Sequence, residues 1–433
     1  MSLILLLTAC PSVVVNVNEA DHDTASVDTA DTGGDTSTDS GTDTATDSGE
    51  DSGSSRGGWS MGEMGAVGAP TNPDDLIYAL WLRDVTEDGD VDLITTSMVP
   101  GDGDASLRID VRAGDGAGGF GAVTSQIGAL SLLDTTAPSI GDINGDGRLD
   151  IVAGIPEGVG VYLGNGHGFD AEVRVDLGYI WGQKADLIDF DGDGTDELLT
   201  SETYDPTEGS DYHLQVWAWD DGSPSLLADL SDLFSSTTLN LYLADAVGYD
   251  AEGDGRQSAA LANVFNYNNL DLHLVPDPVD FVVAENTADR ATADGLAGAA
   301  AVDITGDGDE ELVTFGMNGT QWWDPDATFT TVVVPLDPTH NSSFGVVYDL
   351  NGDGAPDLVQ LGFDYTNPRD EKLWLATALG NGAGFDEPAS ETLDLTYPQG
   401  QAIDAADLDH DGCGDLAMVA GYAEIVTVHG VCE

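Results

Sequence analysis

The residues with the clearest chemistry are oxygen-bearing side chains at every second position of a short, glycine-containing stretch. Residues 142–154 read DINGDGRLDIVAG, with Asp142, Asn144 and Asp146 at the first, third and fifth positions and Asp150 at the ninth. Carboxylate and amide oxygens are the ligands that Ca²⁺ prefers in proteins. The glycine at the sixth position allows a tight reversal that returns the ninth side chain to the first three. The stretch therefore predicts a calcium-binding loop.

The same pattern starts seven times, at residues 84, 142, 189, 250, 303, 349 and 407. The copies at 84 and 303 have threonine at the third position, which removes a formal charge and predicts weaker binding. The copy at Asp250 ends in Ser258, which cannot replace a bidentate carboxylate, and it is not counted among the predicted sites. The predicted ligands of the other six copies are Asp84, Thr86, Asp88, Asp92, Asp142, Asn144, Asp146, Asp150, Asp189, Asp191, Asp193, Glu197, Asp303, Thr305, Asp307, Glu311, Asp349, Asn351, Asp353, Asp357, Asp407, Asp409, Asp411 and Asp415. Because such crowded carboxylates repel one another without a cation, about four to six structural Ca²⁺ ions are expected.

The twelfth position distinguishes two kinds of calcium loop. The helix-flanked loops of EF-hands and dockerins begin in the same way, but an EF-hand closes its ligand shell with a bidentate glutamate at position twelve. Here position twelve holds Thr95, Ala153, Thr200, Leu261, Thr314, Gln360 and Met418. None is acidic, so the sequence predicts a loop closed at the ninth position within a β-hairpin.

Short strands are predicted to position these loops. Each loop is followed by a β-rich run such as DIVAGI or DLAMVAG, and two further runs come before the next loop, with glycine-rich turns such as GNGHGF between them. Successive loops start 46 to 61 residues apart, the length of a unit of four short strands. Regular repetition at this spacing predicts an all-β repeat architecture.

The repeated loop and the phrases LGNGHGFDAEV and LGNGAGFDEPA resemble the FG-GAP/VCBS repeats of integrin-like β-propellers. The resemblance implies that residues 58–433 form a seven-bladed β-propeller with four-stranded antiparallel blades. It also implies that each acidic loop joins the first and second strands of its blade, with all loops on one face, and that the calcium ions are structural.

The ends of the predicted propeller indicate how the ring closes. The last unit has only three strands, whereas residues 59–68, WSMGEMGAVG, precede the first unit and belong to no blade. We expect this segment to supply the missing strand, which gives a 3+1 closure. If the final hairpin turns at residues 422–423, residues whose numbers sum to 845 face each other, and Cys413 and Cys432 meet this condition. A disulfide between them is therefore predicted.

The first 57 residues have a different composition. MSLILLLTAC resembles a bacterial lipoprotein signal, in which Cys10 becomes the lipidated first residue, so residues 1–10 are predicted to be a signal segment. Residues 11–57 are mostly Asp, Thr, Ser and Gly and are predicted to be a disordered linker, because they have little apolar surface to bury. Together they predict an exported protein, tethered by a lipid at the bacterial outer membrane or cell surface.

The net charge of the chain limits the classes of molecule that it can bind. The 433 residues include 80 acidic and 11 basic side chains, for a net charge of −69. A surface this acidic repels phosphate backbones and excludes nucleic acid as a partner. A saline environment is our preferred explanation for the acid outside the loops.

Binding is favoured over catalysis as the function, and no catalytic residue is predicted. The nucleophile-elbow pattern at residues 58–62 and the glycine pattern at residues 116–121 both lack the following helix that their chemistry requires. Aromatic residues in loops predicted on the opposite face could contact a protein or glycan, although packing between blades is an equally good explanation: Tyr179, Trp181, Tyr204, Tyr212, Phe363, Tyr365, Tyr397 and Tyr422. The prediction is a surface-tethered protein- or glycan-binding module. The alternative is an exported polysaccharide lyase or hydrolase on the same scaffold.

Overall fold

The fold was determined from a computed structural model, in which all described regular structure is β-strand. The structure describes residues 15–16, 57–68, 76–99, 106–127, 138–155, 158–177, 183–202, 214–220, 222–230, 243–265, 269–275, 284–285, 296–316, 319–323, 332–335, 340–364, 372–396, 402–420 and 424–433. These residues contain no helix long and apolar enough to cross a membrane.

Twenty-nine strands are found in the described residues and are numbered here in chain order. The first two are β1 (Val15–Asn16) and β2 (Trp59–Gly68). Sheet 1 contains β3 (Leu76–Arg83), β4 (Asp92–Val99), β5 (Ser106–Arg112) and β6 (Thr124–Ile127). Sheet 2 contains β7 (Ser139–Gly141), β8 (Asp150–Ile155), β9 (Gly158–Tyr162) and β10 (Val173–Asp176). Sheet 3 contains β11 (Gln183–Ile188), β12 (Glu197–Glu202), β13 (Leu214–Asp220) and β14 (Ser223–Asp229).

The remaining strands complete sheets 4 to 7. Sheet 4 contains β15 (Leu243–Tyr249), β16 (Ser258–Phe265), β17 (Asn269–Val275) and β18 (Ala284–Glu285). Sheet 5 contains β19 (Leu296–Val302), β20 (Glu311–Gly316), β21 (Gly319–Trp323) and β22 (Val332–Pro335). Sheet 6 contains β23 (His340–Tyr348), β24 (Asp357–Asp364), β25 (Lys372–Ala378) and β26 (Ala389–Thr396). Sheet 7 contains β27 (Ile403–Ala406), β28 (Asp415–Ala420) and β29 (Glu424–Cys432), with β2 beside β29.

The number of four-stranded blades differs from the sequence prediction. Six sheets are four-stranded and antiparallel, rather than the seven expected. Sheet 5 has five strands, because the two-residue strand β1 pairs in parallel with β19, with Val15 opposite Ala300 and Asn16 opposite Ala301. The inner edge of β19 presents backbone groups that another strand can pair with. The remainder of residues 1–56 lies outside the described residues, so the predicted signal segment and linker stay predictions.

Each acidic loop connects the first and second strands of its sheet, as the resemblance implied. The second strand begins at the ninth loop position, for example at Asp150 of β8 and Asp415 of β28. Both of these strands are buried along their whole length, in agreement with their continuous apolar runs. All seven residues at position twelve lie within second strands, which confirms that the loops are not EF-hands.

The hydrophobic core lies between neighbouring sheets. Trp81 of sheet 1 shares an apolar cluster with Tyr162 of sheet 2, and Val161 of sheet 2 shares the next cluster with Leu198 of sheet 3. Similar apolar clusters join sheets 3 and 4, sheets 4 and 5, and sheets 5 and 6. A further cluster joins sheets 6, 7 and 1. From β7 to β27 the neighbouring first strands contact one another, and β27 contacts β3, which brings the last sheet against the first. Outer strands such as β10 and β14 are largely exposed.

The ring closes through β2, as predicted. Strand β2 pairs antiparallel with β29, so a segment that precedes sheet 1 completes sheet 7. The predicted hairpin register is wrong by one residue. Leu416 faces Val428 in the β28–β29 pair, so the numbers of facing residues sum to 844 rather than 845. Cys413 precedes β28, and the structure joins it to Cys432 by a disulfide with 5.9 Å between the Cα atoms.

Candidate metal sites

The acidic loops, numbered here 1 to 7 after their sheets, share one hydrogen-bond arrangement at their first aspartate. In loop 2, Oδ1 of Asp142 accepts the N–H of Asp146 at 3.2 Å, and Oδ2 accepts that of Gly147 at 2.7 Å. The corresponding fifth and sixth N–H groups donate to the first aspartate in all seven loops. The first carboxylate therefore holds the reversal in place, even in loop 4, which lacks the ninth carboxylate.

Two loop positions use left-handed backbone. The sixth position is glycine in every loop, with φ between +80° at Gly147 and +100° at Gly308. The fourth position is also left-handed, and there loops 1 and 7 carry Glu87 and His410, with φ of 57° and 59°. These are the described non-glycine residues with positive φ, a conformation that disfavours a Cβ.

The ninth carboxylate is buried and faces into the loop. Asp150 is fully buried, its Oδ2 accepts the N–H of Ile143 at 3.1 Å, and its Oδ1 accepts the N–H of Gly164 at 2.6 Å. The same two kinds of donor serve Asp92, Asp357 and Asp415, namely the second loop residue and a glycine that follows the third strand, or lies within it in the case of Gly430. This carboxylate thus connects the start of the loop to the region of the third strand.

Burial makes these ninth carboxylates difficult to ionise. Desolvation raises the pKa of Asp150 to about 7, and the charges of Asp142 and Asp146 add to this effect, whereas the hydrogen bonds from Gly164 and Ile143 lower it. Burial likewise raises the pKa of Glu197 and Glu311 to about 7 and that of Asp357 to about 6. A cation beside such a group would stabilise its charged form. An oxygen-rich loop around a buried carboxylate fits a hard divalent ion.

The structure brings three acidic ligand atoms within 4.8 Å of one another in two loops. In loop 3 these belong to Asp189, Asp191 and Glu197, and in loop 7 to Asp407, Asp409 and Asp411. Loops 3 and 7 are the two that carry an acid at all four predicted ligand positions.

Threonine at the third position has a different role in loops 1 and 5. The hydroxyl of Thr86 donates to Oδ1 of Asp92 at 3.3 Å, and that of Thr305 donates to Oε1 of Glu311 at 3.0 Å. Each hydroxyl therefore supports the ninth carboxylate with a hydrogen bond. In loop 6 the third position is Asn351, whose Nδ2 donates to the carbonyl oxygen of Gly57 at 2.9 Å.

The eighth loop position connects neighbouring sheets, a role that the sequence interpretation missed. The N–H of Asp142 donates to Oδ2 of Asp196 at 2.7 Å, and the N–H of Asp196 donates to the carbonyl of Asp142 at 2.8 Å. Gln257 forms the same two-way contact with Asp189, and Glu310 forms it with Asp250. The sequence signal is a side-chain acceptor directly before the ninth position of loops 3, 4 and 5. We call these contacts the intersheet clamps.

Some predicted functional residues cannot be placed. Cys10 lies outside the described residues, as do seven of the eight loop aromatics: Tyr179, Trp181, Tyr204, Tyr212, Tyr365, Tyr397 and Tyr422. Phe363 belongs to β24, but its side chain also lies outside the described part of the structure. The predicted binding face therefore stays a prediction.

A closed ring of sheets with four antiparallel strands and loops at the junction of the first and second strands defines a β-propeller. Three stretches of this chain, residues 84–153, 142–200 and 349–418, match the model of FG-GAP-like repeats. Each match runs from the first aspartate of one acidic loop to the twelfth position of the next. The resemblance seen in the sequence is thereby confirmed. No curated protein matches the chain.

Two solved structures are similar to this propeller. One shows the structural basis of specific recognition of non-reducing terminal N-acetylglucosamine by an Agrocybe aegerita lectin. It has a TM-score of 0.51 and 17% sequence identity, and the match covers 80% of this chain and 86% of that one. The other is the crystal structure of BBS1N in complex with ARL6DN, soaked with lead, with a TM-score of 0.52 and 8% identity, covering 86% of this chain and 96% of that one. At these identities both similarities show the fold alone.

Proposed function

We propose that the protein is a calcium-stabilised β-propeller that acts as an interaction module. The observation that carries the proposal is the buried ninth carboxylate of loops 1, 2, 3, 5, 6 and 7, which in loop 3 lies with two other acidic ligands within 4.8 Å. Ca²⁺ bound there joins the first and second strands of each sheet. We further propose that sheet 5 is one of seven blades and that β1 is an addition to its inner edge.

Metal content and thermal unfolding test the role of calcium. The purified protein is expected to hold several Ca²⁺ ions by elemental analysis and to melt at a lower temperature in excess chelator. Loop 4 allows a test in the opposite direction. The Ser258→Asp variant supplies the missing ninth carboxylate and should bind one more Ca²⁺ ion than the wild type. An unchanged melting temperature in chelator would overturn the structural role of calcium.

The binding role is supported by the two solved structures described above, of which one shows recognition of a non-reducing terminal N-acetylglucosamine and the other is a complex of BBS1N with ARL6DN. The acidic loops occupy one face of the ring, and we place the ligand on the opposite face, where the sequence predicts the loop aromatics. A combined glycan and protein array, probed with calcium and with chelator, is expected to give binding that depends on calcium. Turnover of a polysaccharide in the same assay would favour the alternative, an exported lyase or hydrolase.

Export and tethering form the last part of the proposal. The disulfide between Cys413 and Cys432 suits an oxidising compartment. Lipid attachment at Cys10 would hold the propeller at a bacterial membrane. Expressed in a bacterial host, the protein is expected in the membrane fraction with incorporated labelled palmitate, and Cys10→Ala should release it into the soluble fraction. Equal membrane association of the two forms would contradict the lipid anchor.

A further inference from the structure

Loop 7 has a nitrogen ligand beside it that the other described loops lack. Nδ1 of His429, on β29, lies 3.6 Å from Oδ1 of Asp415. That nitrogen is buried, and it has no hydrogen-bond partner among the described residues. Ligand atoms of Asp409, Asp415 and His429 all lie within 4.8 Å of one another. The imidazole thus faces the same carboxylate that closes the loop.

The position of His429 can be compared directly between sheets. Gly430, the next residue, donates its N–H to Asp415 at 2.7 Å. Gly114, Gly164 and Gly380 make the same bond to the ninth carboxylates of loops 1, 2 and 6. The residues before those glycines are Ala113, Leu163 and Leu379, which have no ligand atom. At this structural position, sheet 7 therefore differs from three related sheets by one metal-binding side chain.

The distance between the two groups fits a shared ion better than a direct contact. A separation of 3.6 Å exceeds the usual length of a hydrogen bond. Two ligands at the usual zinc–nitrogen and zinc–oxygen distances, arranged tetrahedrally, are about 3.4 Å apart. Imidazole nitrogen is a preferred ligand of zinc and other first-row transition ions, whereas calcium is bound by oxygen.

We propose that loop 7 is a mixed nitrogen and oxygen site for a divalent transition ion such as Zn²⁺, with His429, Asp409 and Asp415 as ligands. The inference rests on the proposed function in one respect, namely that the loops bind metal, and it assigns loop 7 a different class of ion. Loop 3 is the natural comparison, because it has four acidic ligand positions and should keep its preference for calcium.

The location gives this ion a specific structural role. Nε1 of Trp59, on the ring-closing strand β2, donates to the carbonyl of Gly414 at 2.9 Å. From sheet 1, the N–H of Gly118 donates to the carbonyl of Leu408 at 3.0 Å. An ion held by His429 and loop 7 would therefore link β29 to the part of sheet 7 that contacts both β2 and sheet 1.

Zinc binding in the presence of saturating calcium tests the proposal. The metal-free full-length protein is titrated with Zn²⁺ at pH 7.5 by calorimetry, and Co²⁺ serves as a spectroscopic probe of nitrogen coordination. We expect one Zn²⁺ site and a Co²⁺ visible spectrum in the wild type. His429→Leu places at this position the residue found at 163 and 379, and should weaken Zn²⁺ binding by about tenfold or more and abolish the Co²⁺ bands.

Two controls separate the possible failures. His410→Asn changes another histidine of the same loop and should leave Zn²⁺ binding unchanged, while calcium stoichiometry should be the same in all three proteins. Equal Zn²⁺ affinity in the wild type and His429→Leu, or no Zn²⁺ binding at all, would overturn the inference. Failure of the wild type to bind calcium would instead overturn the proposed function, and the zinc comparison would still decide the role of His429. A His429→Asn variant provides a second test if the leucine form does not fold.

Discussion

Nη1 of Arg83 lies 3.1 Å from Oδ2 of Asp404, and this pair connects the first strand of sheet 1 to the first strand of sheet 7. The same carboxylate oxygen accepts the N–H of Leu82 at 2.8 Å. The Asp404 side chain is fully buried, and burial raises its pKa, whereas Arg83 and the backbone N–H groups of Leu82 and Ala405 lower it. A charged contact therefore closes the ring at the axis, while β2 closes it at the rim.

Replacement of Asp404 by alanine should destabilise the ring strongly. The variant leaves the N–H of Leu82 without its acceptor and removes the carboxylate that lies against the Arg83 guanidinium. Removal of one partner of a buried pair costs about 3–5 kcal/mol in the free energy of unfolding. Denaturant unfolding in saturating calcium measures this cost. Glu424→Gln, at an exposed position of β29, is the control and should change stability by less than about 0.5 kcal/mol. A loss of similar size in both variants would contradict the role of Asp404 in closure.

The intersheet clamps predict a clear difference between two substitutions of Asp196. Burial raises the pKa of Asp196 to about 7, against the hydrogen bond from Asp142. Asparagine keeps a carbonyl oxygen for the N–H of Asp142 and removes the buried charge, as Gln257 does in the next clamp. Asp196→Asn should therefore be neutral or stabilising at pH 8. Asp196→Ala leaves a buried N–H without an acceptor and should cost about 1–3 kcal/mol. Denaturant unfolding at fixed calcium compares them, and equal losses would contradict the clamp.

The metal-free protein should lose stability as the pH rises. Burial raises the folded-state pKa values of Asp150, Glu197 and Glu311 to about 7, above the ordinary values of 3.8 for Asp and 4.5 for Glu. A carboxyl group with a raised folded-state pKa stabilises the protein at pH values below its unfolded-state pKa. This contribution is lost as the pH rises through the folded-state pKa. Melting temperatures in chelator should therefore fall between about pH 4 and pH 8.

Calcium should reverse this trend, because the ion favours the ionised carboxylates and competes with protons. Calcium affinity is accordingly expected to fall below about pH 7. Glu197→Gln is the matched variant, since its amide keeps an acceptor for Phe190 and does not titrate. The variant should show a shallower pH dependence in chelator than the wild type. Identical slopes for the two proteins would show that Glu197 does not titrate as the structure indicates.

The loops and the strand order were predictable because the same spacing recurs with the repeat, so each copy supports the others. The closing strand β2 was predictable because the last unit lacks one. The one-residue error in the register of the β28–β29 hairpin arose because the exact turn of a hairpin depends on local backbone geometry, which spacing does not encode. His429 was missed for a related reason. Its position relative to Asp415 is fixed by strand pairing within sheet 7 and not by any spacing within the loop.

The left-handed residue at the fourth position of loop 1 leads to the last prediction. Glu87 has a φ of 57°, where loops 2 to 6 have glycine, and its side chain accepts a hydrogen bond from Nε of Arg148 in loop 2. Glu87→Gly relieves a backbone strain of about 1–2 kcal/mol and gives up a surface ion pair, which contributes little to stability in water. Because the added glycine loses more backbone entropy on folding, at a cost of about 0.5–1 kcal/mol, the variant should be as stable as the wild type or up to about 1.5 kcal/mol more stable. Arg148→Ala removes the ion pair without changing the backbone and should leave the stability nearly unchanged. Denaturant unfolding of both variants separates the two effects. A large loss of stability in Glu87→Gly together with a small loss in Arg148→Ala would show that the glutamate has a role in loop 1 beyond its contact with Arg148.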